Sequence, residues 1–370
     1  MRVAIVSNTS WYLFNFRLNL MRAIQAEGHI VVAIAPEDAY SEKIVEQGFE
    51  FKHWGLSCSG VNPLVEFNSL LNLARIFHQQ KIDLVLSYTP KGNLYSAISG
   101  IVLRKKFIPN VSGLGRVFIQ KSLLTSIVKI LYRLTFNRAQ YVFFQNYDDM
   151  NVFIDNKFVR KEKSERLPGS GVDLSKFAVN VKEQSADEAE IKELTFLLVA
   201  RLLRDKGVGE YVEAASIIRS IMPNVKFQLL GFADVSNPSA ISRVEVDAWV
   251  AQGIVEYLGS TDDVRPFLVK ADCVVLPSYR EGVPRTLLEA AAMGRPVITT
   301  DAPGCRDAII DNVTGYLCKP KDAVDLTDKL LKFIALPLQH KRSMGLQGRA
   351  FVEKNFDEKF VLKRYMKFFI

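Results

Sequence analysis

The most constraining feature of this chain is a rhythm that runs twice: a short apolar run, a turn, then a helical pattern. In the first half the runs are RVAIV from Arg2, IVVAIA from Ile30, DLVLS from Asp83 and YVFF from Tyr141. Between the first two lies LNLMRAIQAEG from Leu18, which stops on Gly28 as a helix should. Such alternation specifies a parallel sheet with crossover helices. The Pro- and Gly-rich RLPGSGVDLSKF, Arg166 to Phe177, and the polar VKEQSADEAEIKE after it read as a connection between domains. The rhythm then restarts with TFLLVAR from Thr195, KFQLLG from Lys226, CVVLP from Cys273 and PVITT from Pro296. The expected architecture is α/β, two doubly wound Rossmann-like domains facing one another across a cleft. The expected boundaries are 1–172 and 173–350, with a helix in 351–370 packing back towards the first domain. A chain of 370 residues suits two domains. Ligands of such sheets sit beyond the carboxyl ends of the strands.

Composition removes other classes. With 48% apolar and 24% charged residues the chain has material for two cores and is no candidate for disorder. No stretch offers the roughly 18 uninterrupted apolar residues of a spanning helix. The apolar run Val3 to Val6 is too short for a signal peptide and reads as a first strand. Cys58, Cys273, Cys305 and Cys318 form no CxxC pair and have no His at metal spacing, so neither zinc nor a disulfide framework is expected. The expected location is cytoplasmic.

The net charge of +8 is unevenly placed. Residues 1–180 hold 22 Lys+Arg against 14 Asp+Glu, and residues 181–370 hold 26 against 26. Leu84 to Tyr147 has no acidic residue and nine basic ones, a segregation that implies an anionic partner.

Three motifs fall at expected strand ends. In ARLLRDKGVGEY, Arg201 and Lys206 follow the first strand of the second half and precede the helix from about Val208. An Arg fork, a Lys point charge and helix-start N–H groups together suit a diphosphate. In YREGVPRTLLEAAAMGRPVITTDAPG, Glu281 lies in the loop beyond a strand. Glu289 lies a turn or so into the next helix among Leu287, Leu288, Ala290 and Ala291. A carboxylate in such company must be paired, hydrogen-bonded or protonated. Ribose hydroxyls would satisfy it, while the helix start near Gly282, Val283 and Thr286 would face a phosphate. No GxGxxG follows Val6, which removes the main support for a nicotinamide or flavin enzyme. Asp262 and Asp263 read as a helix cap before Val264 rather than a metal-binding pair, and no metal site is expected.

ARLLRDKG, LLGFAD, YLGSTDDV, ADCVVLPSYREGVPRTLLEAAAMGRPVITTD and GYLCKPKD together resemble the retaining glycosyltransferases of family 4, which adopt the GT-B fold. The resemblance implies that Arg201 and Lys206 hold the donor's diphosphate, Glu289 the ribose and Glu281 hydroxyls of the donor sugar, with Glu281, Arg201 and Lys206 the catalytic set. Backbone near Gly231 and Ser260 would receive the base. It implies no cofactor and no metal, only a nucleotide-sugar donor, UDP-linked.

In the first half, SNTSWYLFNFR, SYTPKGNLYSAISG and VSGLG resemble bacterial members that extend a saccharide on undecaprenyl diphosphate, among them N-acetylgalactosaminyltransferases. Where many relatives carry Gly-Gly after the first strand this chain has Asn8, Thr9 and Ser10. None of His29, His53, His78 and His340 stands in a loop comparable to the relatives' first-domain His. Lys91, Asn93 and Arg116 are the candidate acceptor contacts. In KSLLTSIVKILYRLTFNR from Lys121, Ser122, Ser126, Lys129 and Arg133 share one helical face and Leu123, Leu124, Ile127, Leu131 and Leu134 fill much of the rest. With LRKKF from Leu103 this suggests contact with an anionic membrane surface. The expected activity is hexosyl or N-acetylhexosaminyl transfer to a lipid-diphosphate-linked saccharide in bacterial surface glycan (O-antigen-like) synthesis, peripheral to the inner face of the cytoplasmic membrane. Alternatives are a sugar-nucleotide epimerase of the same fold and a non-catalytic nucleotide-sugar-binding protein; no nucleic-acid motif is present.

Overall fold

A computed structural model describes residues 1–56, 62–114, 123–179, 193–233, 235 and 237–369. They form two compact units, the first comprising Met1–Ser170 and the chain from Lys359 onward, the second Gly171–Glu358.

The first unit is built on a seven-stranded parallel sheet in the order β3-β2-β1-β4-β5-β6-β7. Its strands are β1 (Arg2–Val6), β2 (Ile30–Ala35), β3 (Glu50–His53), β4 (Leu84–Tyr88), β5 (Lys106–Val111), β6 (Val142–Phe144) and β7 (Ser164–Arg166). Helices α1 (Ser10–Ala26) and α2 (Ser41–Glu46) connect β1 to β3. The connections from β3 to β7 use α3 (Pro63–Gln79), α4 (Pro90–Val102), α5 (Leu123–Phe136) and α6 (Tyr147–Asp155). The strands read as unbroken apolar runs because both faces are covered. Ala4 and Val6 of β1 join the core beneath α3 to α6, whereas Val3 and Ile5 join the core beneath α1. Local signals agree with the elements: Thr9 caps α1 by accepting from the Tyr12 N–H at 3.2 Å, and Asn146 caps α6 through the Asp149 N–H at 2.7 Å.

The helices stop in two ways. After α1 and α2 the chain turns on Gly28 and Gly48, at φ +80° and +84° with open space around a would-be Cβ. After α3, α4 and α6 it makes the same left-handed turn on Lys81, Arg104 and Lys157, at φ +50°, +53° and +58°. A side chain in that conformation costs roughly 1–2 kcal/mol.

The second unit carries a six-stranded parallel sheet in the order β10-β9-β8-β11-β12-β13. It comprises β8 (Thr195–Val199), β9 (Lys226–Leu230), β10 (Glu256–Tyr257), β11 (Cys273–Leu276), β12 (Val297–Thr300) and β13 (Gly315–Cys318). Between them run α7 (Val208–Ile221), α8 (Arg243–Ala251), α9 (Arg265–Lys270) and α10 (Arg285–Ala292), and after β13 come α11 (Ala323–Ile334) and α12 (Leu338–Asn355). Phe196 and Leu198 face one core, Leu197 and Val199 the other.

The boundary expected at 350 falls inside α12. Gly345 of that helix lies so close to Gly294 that a Cβ would stand 1.9 Å from its carbonyl oxygen, and Val352 is fully buried in the second unit's core. The return to the first unit occurs instead at Lys359, one residue into α13 (Glu358–Met366). There Tyr365 is buried against Phe143, ring centroids 4.8 Å apart, and accepts from the Asn110 amide at 2.9 Å.

Candidate functional site

In the second sheet the strand order reverses between β8 and β11, the switch point at which open α/β sheets bind ligands. Arg201 and Lys206 follow β8, and Glu281 to Thr286 follow β11, so both motifs issue from neighbouring strands at the same edge. Gly231 follows β9 and Ser260 follows β10, extending the row.

The turn Arg204–Lys206 is a short 3-10 helix ending on Gly207, at φ +71°. A Cβ there would meet the Pro277 carbonyl oxygen at 2.1 Å, so only glycine lets the turn lie against the exit of β11. The Tyr279 N–H and the Ser278 hydroxyl both bond the Asp205 carbonyl, at 3.0 and 3.1 Å. This close packing brings the Lys206 ammonium onto Glu281 Oε1 in a direct ion pair, with side chains only 19% and 14% exposed. The fully buried Ser278 also meets Glu281 Oε1 at 2.8 Å. The Glu281 N–H donates to the Pro303 carbonyl at 3.0 Å, and Gly304, at φ +79°, passes so near that a Cβ would stand 2.2 Å from the Glu281 carbonyl oxygen. Loop, turn and carboxylate are thereby held in one geometry. Cys305 beside them packs its thiol toward the Ser278 carbonyl at 3.7 Å, and burial pushes it up to about 12, so it is a packing group and not a nucleophile.

Glu289 lies on α10, and its carboxylate is bonded by Arg285 Nε at 2.7 Å. Burial pushes this carboxyl above the ordinary glutamate range, with Arg285 and then Lys176 acting against the rise. The partner that the apolar surroundings demand is thus Arg285, which sequence reasoning missed although the i, i+4 spacing allows it. Ser278 and Lys176 were missed too; neither has a spacing signal. Gly282 and Val283 are buried under the loop and Thr286 is half-buried in the first turn of α10.

Arg201 is exposed and makes no side-chain hydrogen bond or ion pair among the described residues. Gly231 is held tightly: a Cβ would lie 1.8 Å from the Ala200 carbonyl oxygen. Its N–H donates to Gly259 at 2.7 Å and its carbonyl accepts from the Tyr257 hydroxyl at 2.9 Å. Both backbone polar groups of Gly231 are therefore spent within the protein. Ser260 is exposed one residue beyond Gly259. Asp263 accepts from the Arg265 N–H at 3.1 Å and pairs its side chain, capping α9. No group of His, Cys, Asp or Glu among the described residues is arranged to hold a metal.

The acceptor candidates in the first unit fare differently. Asn93 is buried, accepting from the Ser87 hydroxyl at 2.9 Å and donating to the Asn110 carbonyl at 2.8 Å. With its amide spent on fixing β4 to β5 it is a structural residue, correcting the expectation of acceptor contact. Lys91 pairs with Glu66 at 2.7 Å and is partly exposed. Arg116 lies outside the described residues. Nearby Thr89 has φ +67° and ψ 152°, a conformation that β-branched residues rarely adopt, at the carboxyl edge of the first sheet.

Helix α5 buries Thr125, Tyr132 and Phe136 and exposes Ile127, Ile130 and Leu134 at 47%, 59% and 57%. The helix is thus only partly buried: Tyr132 fills the core among Phe136, Phe153 and Phe158, while Ile127 and Leu134 of the apolar set point outward. Ser122 lies outside the described residues. No helix among the described residues is long and apolar enough to cross a membrane.

Both halves of the chain resemble known proteins. A glycosyl transferase 4-like family matches residues 2–146 and the glycosyl transferases group 1 family matches residues 193–335. The N,N'-diacetylbacillosaminyl-diphospho-undecaprenol alpha-1,3-N-acetylgalactosaminyltransferase of Campylobacter jejuni is 28% identical, the match covering 100% of this chain and 98% of that protein. The UDP-Gal:alpha-D-GlcNAc-diphosphoundecaprenol alpha-1,3-galactosyltransferase of Escherichia coli is 24% identical over 74% of this chain and 72% of its own. Among solved structures, Anabaena HepE in complex with UDP-glucose superposes with a TM-score of 0.80 at 16% identity, covering 100% of this chain and 99% of the other. Sucrose-phosphate synthase of Thermosynechococcus elongatus gives 0.79 at 17% identity, covering 100% and 98%. With both halves matched and the two-sheet architecture shared, the chain belongs to the family 4 glycosyltransferases and has the GT-B fold.

Proposed function

We propose that the chain is a retaining glycosyltransferase that moves a hexose or N-acetylhexosamine from a UDP-linked donor to a saccharide carried on a lipid diphosphate, at a membrane surface, in bacterial surface glycan synthesis. The observation that carries this reading is the Lys206–Glu281 pair at the sheet's switch point, at the same sheet edge as Arg201, which has no partner among the described residues, and with Glu289 enclosed on the helix that follows. The full-length likeness to an undecaprenol-linked N-acetylgalactosaminyltransferase supports the acceptor class.

Breaking the bond between the anomeric carbon and the diphosphate oxygen leaves negative charge on the nucleotide and positive character on the sugar. Arg201 and Lys206 offset the former; donors aimed at developing charge contribute roughly 3–4 kcal/mol each. These cations supply the neutralisation a metal gives elsewhere, so the proposed reaction takes no metal and no cofactor. Glu281, tethered by Lys206 and Ser278, accepts from donor-sugar hydroxyls, and Glu289 accepts from the ribose. The acceptor hydroxyl attacks the face that the diphosphate leaves, forming the new C–O bond while its proton passes to the leaving phosphate oxygen.

The test is transfer from a panel of UDP- and GDP-sugars to undecaprenyl-diphosphate-linked acceptors, with the product's anomeric configuration read by NMR coupling. Transfer with retained configuration is expected. Inverted product would refute retention, and epimerised donor in the absence of acceptor would favour an epimerase.

A further inference from the structure

Helix α10 has one narrow polar face. Of its eight residues Leu287, Leu288, Ala290, Ala291 and Ala292 are buried, which leaves Arg285, Thr286 and Glu289, spaced i, i+1 and i+4, to reach the surface. Arg285 Nε donates to Glu289 Oε1 at 2.7 Å, and the two side chains are 19% and 12% exposed. Glu289 Oε2 takes no hydrogen bond among the described residues. The pair thus occupies one oxygen of the carboxylate and leaves the other open.

Helix stability does not account for this arginine. At the first residue of α10 a cation meets the positive end of the helix dipole, and an i, i+4 pair with the cation on the amino-terminal side is the weaker of the two orders. Packing does not account for it either, since the apolar contacts of α10 are made by its other face. What the position supplies is a fixed positive charge against a carboxyl group that burial drives toward its neutral form. The charged groups around that carboxyl come from three segments: Arg285 on α10 and Lys176 in the turn bonded by Asp173 favour the ionised form, and Asp263 at the cap of α9 opposes it. Asp263 is itself paired with Arg265 at 2.8 Å. Of these groups only Arg285 is hydrogen-bonded to Glu289 among the described residues.

We propose that Arg285 is a positioning residue of the donor site, holding the Glu289 carboxylate ionised and turned so that Oε2 accepts from the ribose hydroxyls. The proposal rests on the reading that Glu289 receives the ribose, and it adds what makes that acceptor competent. A protonated carboxyl spends one oxygen as an O–H donor, whereas a carboxylate accepts at both, and hydrogen bonds to an ionised partner are roughly twice as strong. Arg285 needs no contact with the nucleotide, so its effect should follow the ribose hydroxyls and not the phosphates.

The test is calorimetry on the full chain with UDP and with 2′,3′-dideoxy-UDP, which has the same base and diphosphate but lacks both hydroxyls. The ratio of the two affinities cancels the titration of the diphosphate itself. The unmodified chain should prefer UDP at least about tenfold at about pH 6.5 and about pH 8.5, the worth of one charge-assisted hydrogen bond. Arg285→Met should lose most of that preference at about pH 6.5 and regain part of it at about pH 8.5, because without the fixed charge burial keeps the carboxyl neutral to higher pH. Arg285→Lys, which keeps the charge, should retain the preference. Thermal midpoints serve as the folding control; if Arg285→Met is unfolded, Arg285→Gln keeps a donor to Glu289 without the charge and takes its place under the same expectation. A loss shared equally by UDP and dideoxy-UDP would make Arg285 a phosphate contact and overturn the proposal, as would a preference that survives Arg285→Met at both pH values. An unmodified chain that binds dideoxy-UDP as tightly as UDP would instead overturn the ribose reading of Glu289, and the proposal with it.

Discussion

Lys206 and Glu281 form one unit, and a double-mutant cycle on UDP binding exposes what each contributes. The ammonium lies against Glu281 Oε1, with Ser278 on the same oxygen, and less than a fifth of either side chain is exposed. A charge pair 4 Å apart in such a partly screened site interacts by about 4 kcal/mol before desolvation, and the net worth of a charge-assisted hydrogen bond is about 1.5–3 kcal/mol. Lys206→Ala should therefore weaken UDP about 10- to 150-fold. Part of that loss comes from leaving the Glu281 carboxylate unshielded beside a diphosphate. Glu281→Gln keeps an acceptor for Lys206 and Ser278 while removing that charge, so plain UDP should bind as well or better, and turnover with a UDP-sugar should fall. In the double variant some of the affinity lost with Lys206 should return. Calorimetry with UDP on the four proteins, with thermal midpoints as the folding control, measures every corner. Unchanged affinity in Lys206→Ala, or an equal loss of plain UDP affinity in Glu281→Gln, would falsify the assignment.

Further outcomes follow from single contacts. Because the Glu289 carboxyl is held above its ordinary range by burial, ribose binding should need its ionised form and decline on acidification above pH 4.5; Glu289→Gln should flatten the wild-type-minus-variant difference in UDP affinity against pH. The same raised value means that Glu289 favours the folded state most below its unfolded pKa and loses that contribution as pH rises through the folded one, so chemical denaturation should show a shallower pH slope in Glu289→Gln. Gly207→Ala should cost at least about 1–2 kcal/mol for the left-handed backbone alone, more with the Pro277 contact, and depress the thermal midpoint as well as UDP affinity. Arg17 is buried with no carboxylate beside it among the described residues, donating to the Tyr12 hydroxyl at 2.7 Å and Ser170 at 3.1 Å and lying 4.0 Å over the Tyr88 ring. Arg17→Met should change stability by less than about 1.5 kcal/mol, since the cation's own desolvation offsets its contacts; a loss above about 3 kcal/mol would show that the guanidinium holds the unit together.

What the sequence made legible follows from how strongly each element is buried. RVAIV, IVVAIA, TFLLV and CVVL sit centrally, covered on both faces, and announce themselves as apolar runs. Strand β5 is equally central but hidden, because Lys106 opens it and Pro109 interrupts it; β5 pairs with β6 through Asn110 and Val111, beyond that proline. Edge strand β10 is two residues long and has no periodicity to detect. In the site, Glu281 and Glu289 could be singled out because a carboxylate among apolar residues demands an explanation. Ser278 could not, since its importance comes from where β11 meets the Asp205 turn, a tertiary contact across 73 residues. Asn93 misled for the converse reason: a polar residue taken for an acceptor contact is satisfied inside the core by Ser87 and Asn110.

The two units share an architecture but not a charge balance, 22 Lys+Arg against 14 Asp+Glu over residues 1–180 and 26 against 26 over residues 181–370, so charge placement is not set by the fold. In the second unit Lys226, at the amino edge, pairs with Glu193, while neither Lys270 at that edge nor Arg201 at the carboxyl edge has an ion-pair partner among the described residues. In the first, among the described residues, Lys91 near the carboxyl edge pairs with Glu66, and Lys81, Arg104 and Lys157 at the amino edge have no ion-pair partner. A requirement for solubility alone would be met by cations on either edge and would give no reason for left-handed Lys81, Arg104 and Lys157. Because the ends of a parallel strand are separated by its whole length, a five-residue strand such as β4 holds the two edges about 17 Å apart, beyond the Debye length of about 8 Å at physiological salt. Charge at the amino edge is therefore screened from a ligand at the carboxyl edge of the same sheet, and the two can be altered independently.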